Sequence, residues 1–294
     1  MKYTAIEKDN DLMIKDILQR RLNLSSRLLR KLKNNQGVYK NGEPVFLNVK
    51  VKKGDVIDVV FPEEYSNFEP EDIPIEAVYE DESLLIINKQ PNVVVHPTRS
   101  HLNGTIANGL MYYMNAKKDS YKIRFVNRLD RDTSGLLIIG KNSFVQEELS
   151  QQMKEDLVIK KYIAILEGCM EKDEGIIEQP IKKNPGEMVR VISEEGQDSI
   201  TIYKVLKRLG TDYTVVEILL KTGRTHQIRV HMAYMGHPVV GDELYGKDNK
   251  SIMKRQALHA AYLSFIHPRT GERMEVEAGL PEDMQELIDQ YQET

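Results

Sequence analysis

Two acids, Asp130 and Asp132, stand among two arginines, Arg128 and Arg131, in the stretch N-R-L-D-R-D-T-S-G at positions 127–135. A carboxylate placed between guanidinium groups is held ionised. That state suits a nucleophile or a general base better than an acid. Thr133, Ser134 and Gly135 close the loop, and the apolar run Leu136-Leu137-Ile138-Ile139, bounded by a second glycine, reads as a buried strand. The loop therefore delivers its acids to the rim of a sheet.

A second stretch with chemical content is K-T-G-R-T-H-Q-I-R-V-H-M, residues 221–232. Thr225 is a good N-cap and Gly236 a good stop, which predicts a helix between them. Arg224 then sits at a strand end just before a helix N-terminus, where it can reach an anion, and Arg229 lies about one turn further in. Residues 158–168 alternate as a strand that puts Lys160 and Tyr162 on one side. Each of these has a plainer reading: loop acids that only pair with loop arginines, and an Arg224 that is only an ion-pair partner. His226, His231 and His237 are spaced by five and six residues, which does not stack imidazoles on one helical face, so no metal site is read here. With no G-x-G-x-x-G after a strand, no P-loop and no serine elbow, the chemistry is expected to need no nucleotide cofactor.

The elements that must position these residues follow from the rest of the chain. Its 294 residues, 40% hydrophobic and 29% charged, fit a globular protein of two domains. The first residues have no apolar core and no later run is long enough to span a bilayer. The single Cys169 excludes an intrachain disulfide and suits a reducing compartment, so a cytoplasmic location without membrane contact is expected. Net charge is −4, but residues 1–60 carry 13 Lys+Arg against 7 Asp+Glu while the remainder carries 28 against 38. A basic module on an acidic body points to a polyanion-binding arm.

Within that arm, Asp11 is placed to cap a first helix through Ile14, Ile17 and Leu18. A second helix, starting at Ser25 or Ser26 and stopping at Gly37, turns Leu28, Leu29 and Leu32 inward and shows Arg27, Arg30, Lys31 and Lys33 outward. Asn41-Gly42 predicts a hairpin, and Val49 to Phe61 a strand pair around Lys53-Gly54-Asp55. Residues 62–76 hold three prolines and six acids with no base, the composition of an extended linker poor at burying surface. Beyond it we expect a hairpin over Val78–Lys89, a helix capped by Thr105, a helix opened by Ser143 with Gln146, and a charged, glycine-containing segment over about 170–198. Strands from Ile200 and Tyr213 follow, then a C-terminal strand pair and a closing helix from Pro281.

N-R-L-D-R-D-T-S-G-L, K-x-Y-x-A-x-x-x-G, T-G-R-T-H-Q-I-R-V-H-M and L-H-A-x-x-L-x-F-x-H-P occur here in that order. The combination resembles the RluA family of RNA pseudouridine synthases over about residues 75–285. The N-terminal part is similar to the small RNA-binding module named after a small-subunit ribosomal protein. The resemblance implies an α+β fold: a central mixed, mainly antiparallel sheet flanked by helices, plus a small α/β module. The division would be 1–61 module, 62–76 linker and 77–294 catalytic domain. It also implies isomerisation of uridine to pseudouridine in RNA, ribosomal RNA more than transfer RNA, with base flipping and no cofactor. Carried over by motif, Asp130 would be the catalytic aspartate, Tyr162 the tyrosine that stacks on the base, and Arg224 the partner of Asp130. Arg128 would fill the place of the flipped uridine, Leu258 would wall the pocket, and Arg27, Arg30 and Lys31 would hold RNA. Asn127 departs from a common His, and Lys89-Gln90-Pro91-Asn92 replaces a K-P-x-G turn, where Asn92 can supply the left-handed conformation. The rivals are a non-catalytic RNA-binding or ribosome-assembly protein of the same fold, and a hydrolase using Asp130 with Asp132.

Overall fold

The apolar runs at Leu84–Lys89 and Ser134–Gly140 are buried along nearly their whole length, and the sheet is built outward from them. In the computed structural model, which describes residues 1–34, 36–98, 102–184, 186–246 and 252–291, the chain begins with a four-stranded sheet and two helices. These are β1 (Lys2–Thr4), α1 (Ile14–Arg20), α2 (Ser26–Asn34), β2 (Val38–Lys40), β3 (Glu43–Pro44) and β4 (Val56–Val59), with sheet order β1-β4-β2-β3. Asn41 and Gly42 both take positive φ, 53° and 88°, as a tight hairpin between β2 and β3 requires. Ser25 caps α2 through Leu28 N–H at 3.2 Å. Asp11 does not cap α1. It sits at φ 64°, and the residue before that helix is Met13, whose side chain offers no acceptor for a first-turn amide.

The larger part of the chain runs β5 (Glu76–Glu80), β6 (Leu84–Lys89), α3 (Ile106–Lys117), β7 (Arg124–Phe125), β8 (Ser134–Gly140), α4 (Ser143–Lys154) and β9 (Ile159–Glu167). It continues through β10 (Glu174–Glu178), β11 (Ile181–Lys183), β12 (Arg190–Ile192), β13 (Ile200–Leu209) and β14 (Tyr213–Leu220). Last come α5 (Gln227–Tyr234), β15 (Leu258–Ile266), β16 (Arg273–Glu277) and α6 (Glu282–Gln290). Ten strands form one sheet in the order β10-β13-β14-β9-β15-β8-β6-β5, with β16 joined to β15 and β7 to β8. The architecture is α+β, and the sheet is mixed but mainly antiparallel: its one parallel pair is β8 with β15.

Alternation along β6 and β8 splits the core in two. Leu85, Ile87, Leu137 and Ile139 face a cluster with α3, α5 and α6, whereas Leu84, Ile86, Leu136 and Ile138 face α4 and are continuous with the core of the N-terminal module. Phe61 stacks on Phe144 at that junction, ring centroids 5.8 Å apart.

Three expectations change. The cap of α4 is Asn142, whose carboxamide oxygen accepts from Val145 N–H at 2.9 Å, so the helix starts at Ser143 itself, one residue earlier than a cap at Ser143 would place it. The 170–198 segment carries strands: β10 adds to the sheet edge and β11 pairs with β12, because Ile177 and Ile181 are buried among flanking charges. Residues 62–75 contain no helix or strand, yet they do not swing clear of the body. Phe68 packs on the core, and Ser66 Oγ accepts from Ile123 N–H at 3.0 Å. Glu71 accepts from Gly104 N–H at 2.9 Å. Glu64 is bound by Lys31 of α2 at 2.5 Å and by Arg124 of β7, with Lys122 at 3.8 Å. Burial alone would raise the pKa of Glu64; the three cations outweigh it and hold the carboxyl below its ordinary value.

Candidate active site

Gly135 decides where the catalytic loop can sit. It is the second residue of β8, at φ 110°, and a Cβ there would lie 2.3 Å from the carbonyl oxygen of Ala260, so only glycine lets β8 approach β15 side by side. Residues 129–133 therefore emerge beside Leu258 at the start of β15.

That loop is held from beneath by buried cations. Lys89, 0% exposed, donates to three carbonyls: Gln90 at 2.7 Å, Arg131 at 2.9 Å and Thr133 at 2.9 Å. Burial draws its ammonium down to about 7, against the pull of Asp132 and Asp130. Arg255 reaches the Asp132 carbonyl at 3.3 Å, and Gln256 donates to Thr133 Oγ1 at 3.0 Å. Asn127 ties the loop's start to β8 by donating to Leu136 O and accepting from Ile138 N–H, at 3.1 and 2.8 Å. Asn92 takes φ 64°, as the turn after Lys89 demands.

So mounted, Asp130 opens into a cleft of about 460 Å³, whose lining includes Arg128, Lys160, Tyr162, Arg224, His226, Arg229 and Leu258. Its partner is not Arg224. Arg229 Nη1 donates to Asp130 Oδ2 at 3.0 Å, while Arg224 is exposed and spends its Nε on the Asp198 carbonyl at 3.1 Å. The reason is helix phase. The residue before α5 is His226 in the left-handed region, φ 58°, not Thr225, so the helix starts later and its third residue, Arg229, points back at the loop. Arg229 is clamped on its other side by fully buried Asp242, through Nε at 2.7 Å and Nη2 at 2.8 Å. Burial would lower the pKa of that guanidinium, but the two carboxylates raise it well above the usual. A bidentate fork of this kind fixes direction as well as charge.

Tyr162, 8% exposed, projects from β9 into the same cleft. Burial and then the Asp130 charge push its phenol far above the ordinary range, so it is a neutral hydroxyl at physiological pH. Leu258 walls the cleft and Arg128 stands exposed at its lip. Asp132 is withdrawn from the chemistry by a bidentate contact with Arg131, Nε at 3.0 Å and Nη2 at 2.9 Å, so the two acids do not form a carboxylate pair.

His226 adds a donor that sequence reasoning missed. Tyr245 Oη accepts from Arg190 N–H at 2.7 Å and lies 2.9 Å from His226 Nδ1. When the phenol donates to Nδ1, the ring proton sits on Nε2, which faces Asp130 Oδ2 at 3.8 Å. Burial lowers the pKa of this imidazole, with Asp130 pulling the other way. The other two histidines of the motif are engaged elsewhere: His231 by Thr201 and the Gln179 carbonyl, His237 by the Glu167 carbonyl. Among the described residues no group of three or more His, Cys, Asp or Glu side chains is placed to hold a metal ion. No described helix is long and apolar enough to cross a membrane.

Sheet and cleft together define a class: a pseudouridine synthase fold presenting one tethered carboxylate to a pocket of nucleoside size. The sequence profile of the RNA pseudouridylate synthase family matches residues 83–234. The RNA pseudouridine synthase YjbO of Bacillus subtilis is 43% identical over 91% of this chain and 95% of its own length. Ribosomal large subunit pseudouridine synthase D of Pasteurella multocida is 38% identical over 86% and 82%. Human RNA pseudouridylate synthase domain containing 1 superposes with a TM-score of 0.59 at 28% identity, covering 79% of this chain and 98% of the human one. The chain belongs to the RNA pseudouridylate synthase family, and it is an isomerase that converts uridine to pseudouridine in RNA.

Proposed function

We propose that this enzyme modifies ribosomal RNA, with Asp130 acting on the ribose of a uridine flipped into the cleft. Breaking the base–ribose bond, turning the uracil and rejoining it through carbon 5 asks for a carboxylate at the sugar. Asp130 either attacks carbon 1′ or takes the proton from carbon 2′. The observation that carries the reading is the Asp130–Arg229–Asp242 chain, in which a buried acid aims the arginine that aims the cleft acid. Tyr162 stacks on the extruded uracil and, being neutral, serves as a hydrogen-bond donor rather than a base. Arg128 at the lip fills the gap left in the RNA, offsetting the few kcal/mol of unstacking. The basic face of α2, with Arg27, Arg30 and Lys33 exposed, supplies phosphate affinity. Arg224 leaves the role of Asp130 partner to Arg229. Ribosomal RNA is favoured by the relatives named for the large subunit and by the basic N-terminal module. The free Cys169 thiol suits a reducing, cytoplasmic setting.

Asp130→Asn should lower pseudouridine formation on the order of 10⁴-fold while RNA still binds. Wild-type turnover in that variant would remove Asp130 from the reaction. Mapping pseudouridines in total RNA with and without the gene tests the substrate. A lost site in transfer RNA alone would overturn the ribosomal assignment.

A further inference from the structure

One cation in the cleft has no bonded partner among the described residues. Lys160 lines the wall beside Tyr162 and is half-buried, yet its ammonium makes no hydrogen bond or ion pair among the described residues. The carboxylate that most affects it, Asp156, is itself paired with Lys221 at 2.5 Å. A cation partly removed from water without a partner is unfavourable unless something completes it.

What lies next to it is an open turn. Lys160 Nζ is 4.0 Å from the position a Gly223 Cβ would take, and beyond the two chain neighbours no other atom comes within that distance of it among the described residues. Arg224 follows, its guanidinium held only through Nε, and then Thr225, which lines the cleft with its hydroxyl unbonded among the described residues. The turn is rigid: buried Gln227 accepts from Arg224 N–H at 2.9 Å and from Thr222 Oγ1 at 2.8 Å, and donates to Ile200 O and Thr201 Oγ1 at 3.0 Å each.

We propose that Lys160, Arg224 and Thr225 form a cup for one phosphodiester of the RNA strand next to the flipped uridine. Two cations and a hydroxyl around a fixed glycine turn match a phosphate's charge and its several acceptor oxygens. Neither Lys160 nor Arg224 is bonded to Asp130, which Arg229 holds, and Lys160 Nζ lies instead against the Gly223 turn. That places the cup on the flanking backbone and not at the reacting carbon. The inference rests on the cleft taking a uridine.

The test is a short RNA substrate in which the linkages on either side of the target uridine are replaced singly by neutral methylphosphonate. Lys160→Met should raise KM about tenfold with kcat nearly unchanged, and should lower the slope of log KM against log salt by about 0.7–0.9. Lys160→Arg should restore both. One methylphosphonate position should reproduce the loss and add nothing in Lys160→Met. A fall in kcat with an unaltered salt slope would overturn the cup and assign Lys160 to the departing uracil. A Lys160→Met protein that binds like wild type at every linkage would overturn it too. Absence of pseudouridine from wild-type reactions is a separate result, which would strike the uridine reading itself.

Discussion

The cleft floor and the outer face of α2 use the same residue types in opposite ways. In the cleft, Arg229 is 6% exposed and gripped by two carboxylates, so every charge has a direction and little freedom to move. On α2, Arg27, Arg30 and Lys33 are exposed with no bonded partner among the described residues to aim them. Desolvated charge is strong and geometric, whereas solvated charge is weak, long-ranged and screened within about 10 Å at ordinary salt. The first kind can select a transition state; the second can only gather RNA.

That contrast is broken most severely at Arg229. Arg229→Lys keeps the charge but loses the fork, so Asp130 is no longer aimed, and kcat should fall on the order of 100-fold with RNA affinity preserved. A lysine variant turning over at the normal rate would reduce Arg229 to a mere counter-charge. At the other pole, replacing Arg27, Arg30 and Lys33 together by Gln should weaken RNA binding about tenfold, flatten its salt slope by up to about 0.9 per residue and leave kcat alone. A change in kcat there would erase the distinction. The finest effect is expected from Tyr245→Phe. Burial holds the pKa of His226 below its ordinary value, so activity that needs the neutral imidazole beside Asp130 is lost only as pH falls through that lowered value. Removing the phenol frees Nδ1 to take a proton and lets the pKa rise, which moves the acid limb of kcat/KM to higher pH. A limb that stays put would disconnect His226 from the reaction.

Much of this cleft could be read from the chain because the relevant signals are local. The loop at 127–135 followed by Leu136–Ile139 declares a buried strand with acids at its mouth, and Lys160 with Tyr162 declares a shared face. Arg224 was misassigned because the start of α5 is set by a left-handed His226, which no capping preference anticipates. A signal for Arg229 did exist: an arginine between Ile228 and Val230 in an apolar helix must be buried, and buried arginines need acids. Asp242 lies 13 residues further on, across a chain reversal that only the tertiary fold supplies. The supports of the loop, Lys89 and Arg255, are likewise distant in sequence. The strands β10–β12 give no clear pattern in the sequence because each has only one or two large apolar residues among charges, too few to establish a period.

Glu64 ties a residue of the basic helix to one that adjoins the cleft, in the very segment whose composition suggested a loose tether. A module pinned at that point works as a caliper jaw rather than a fishing line. On the proposed reading, an RNA would have to present its anchoring phosphates and its target uridine at one fixed separation, and the enzyme would then measure a span of folded RNA as well as read a single nucleotide.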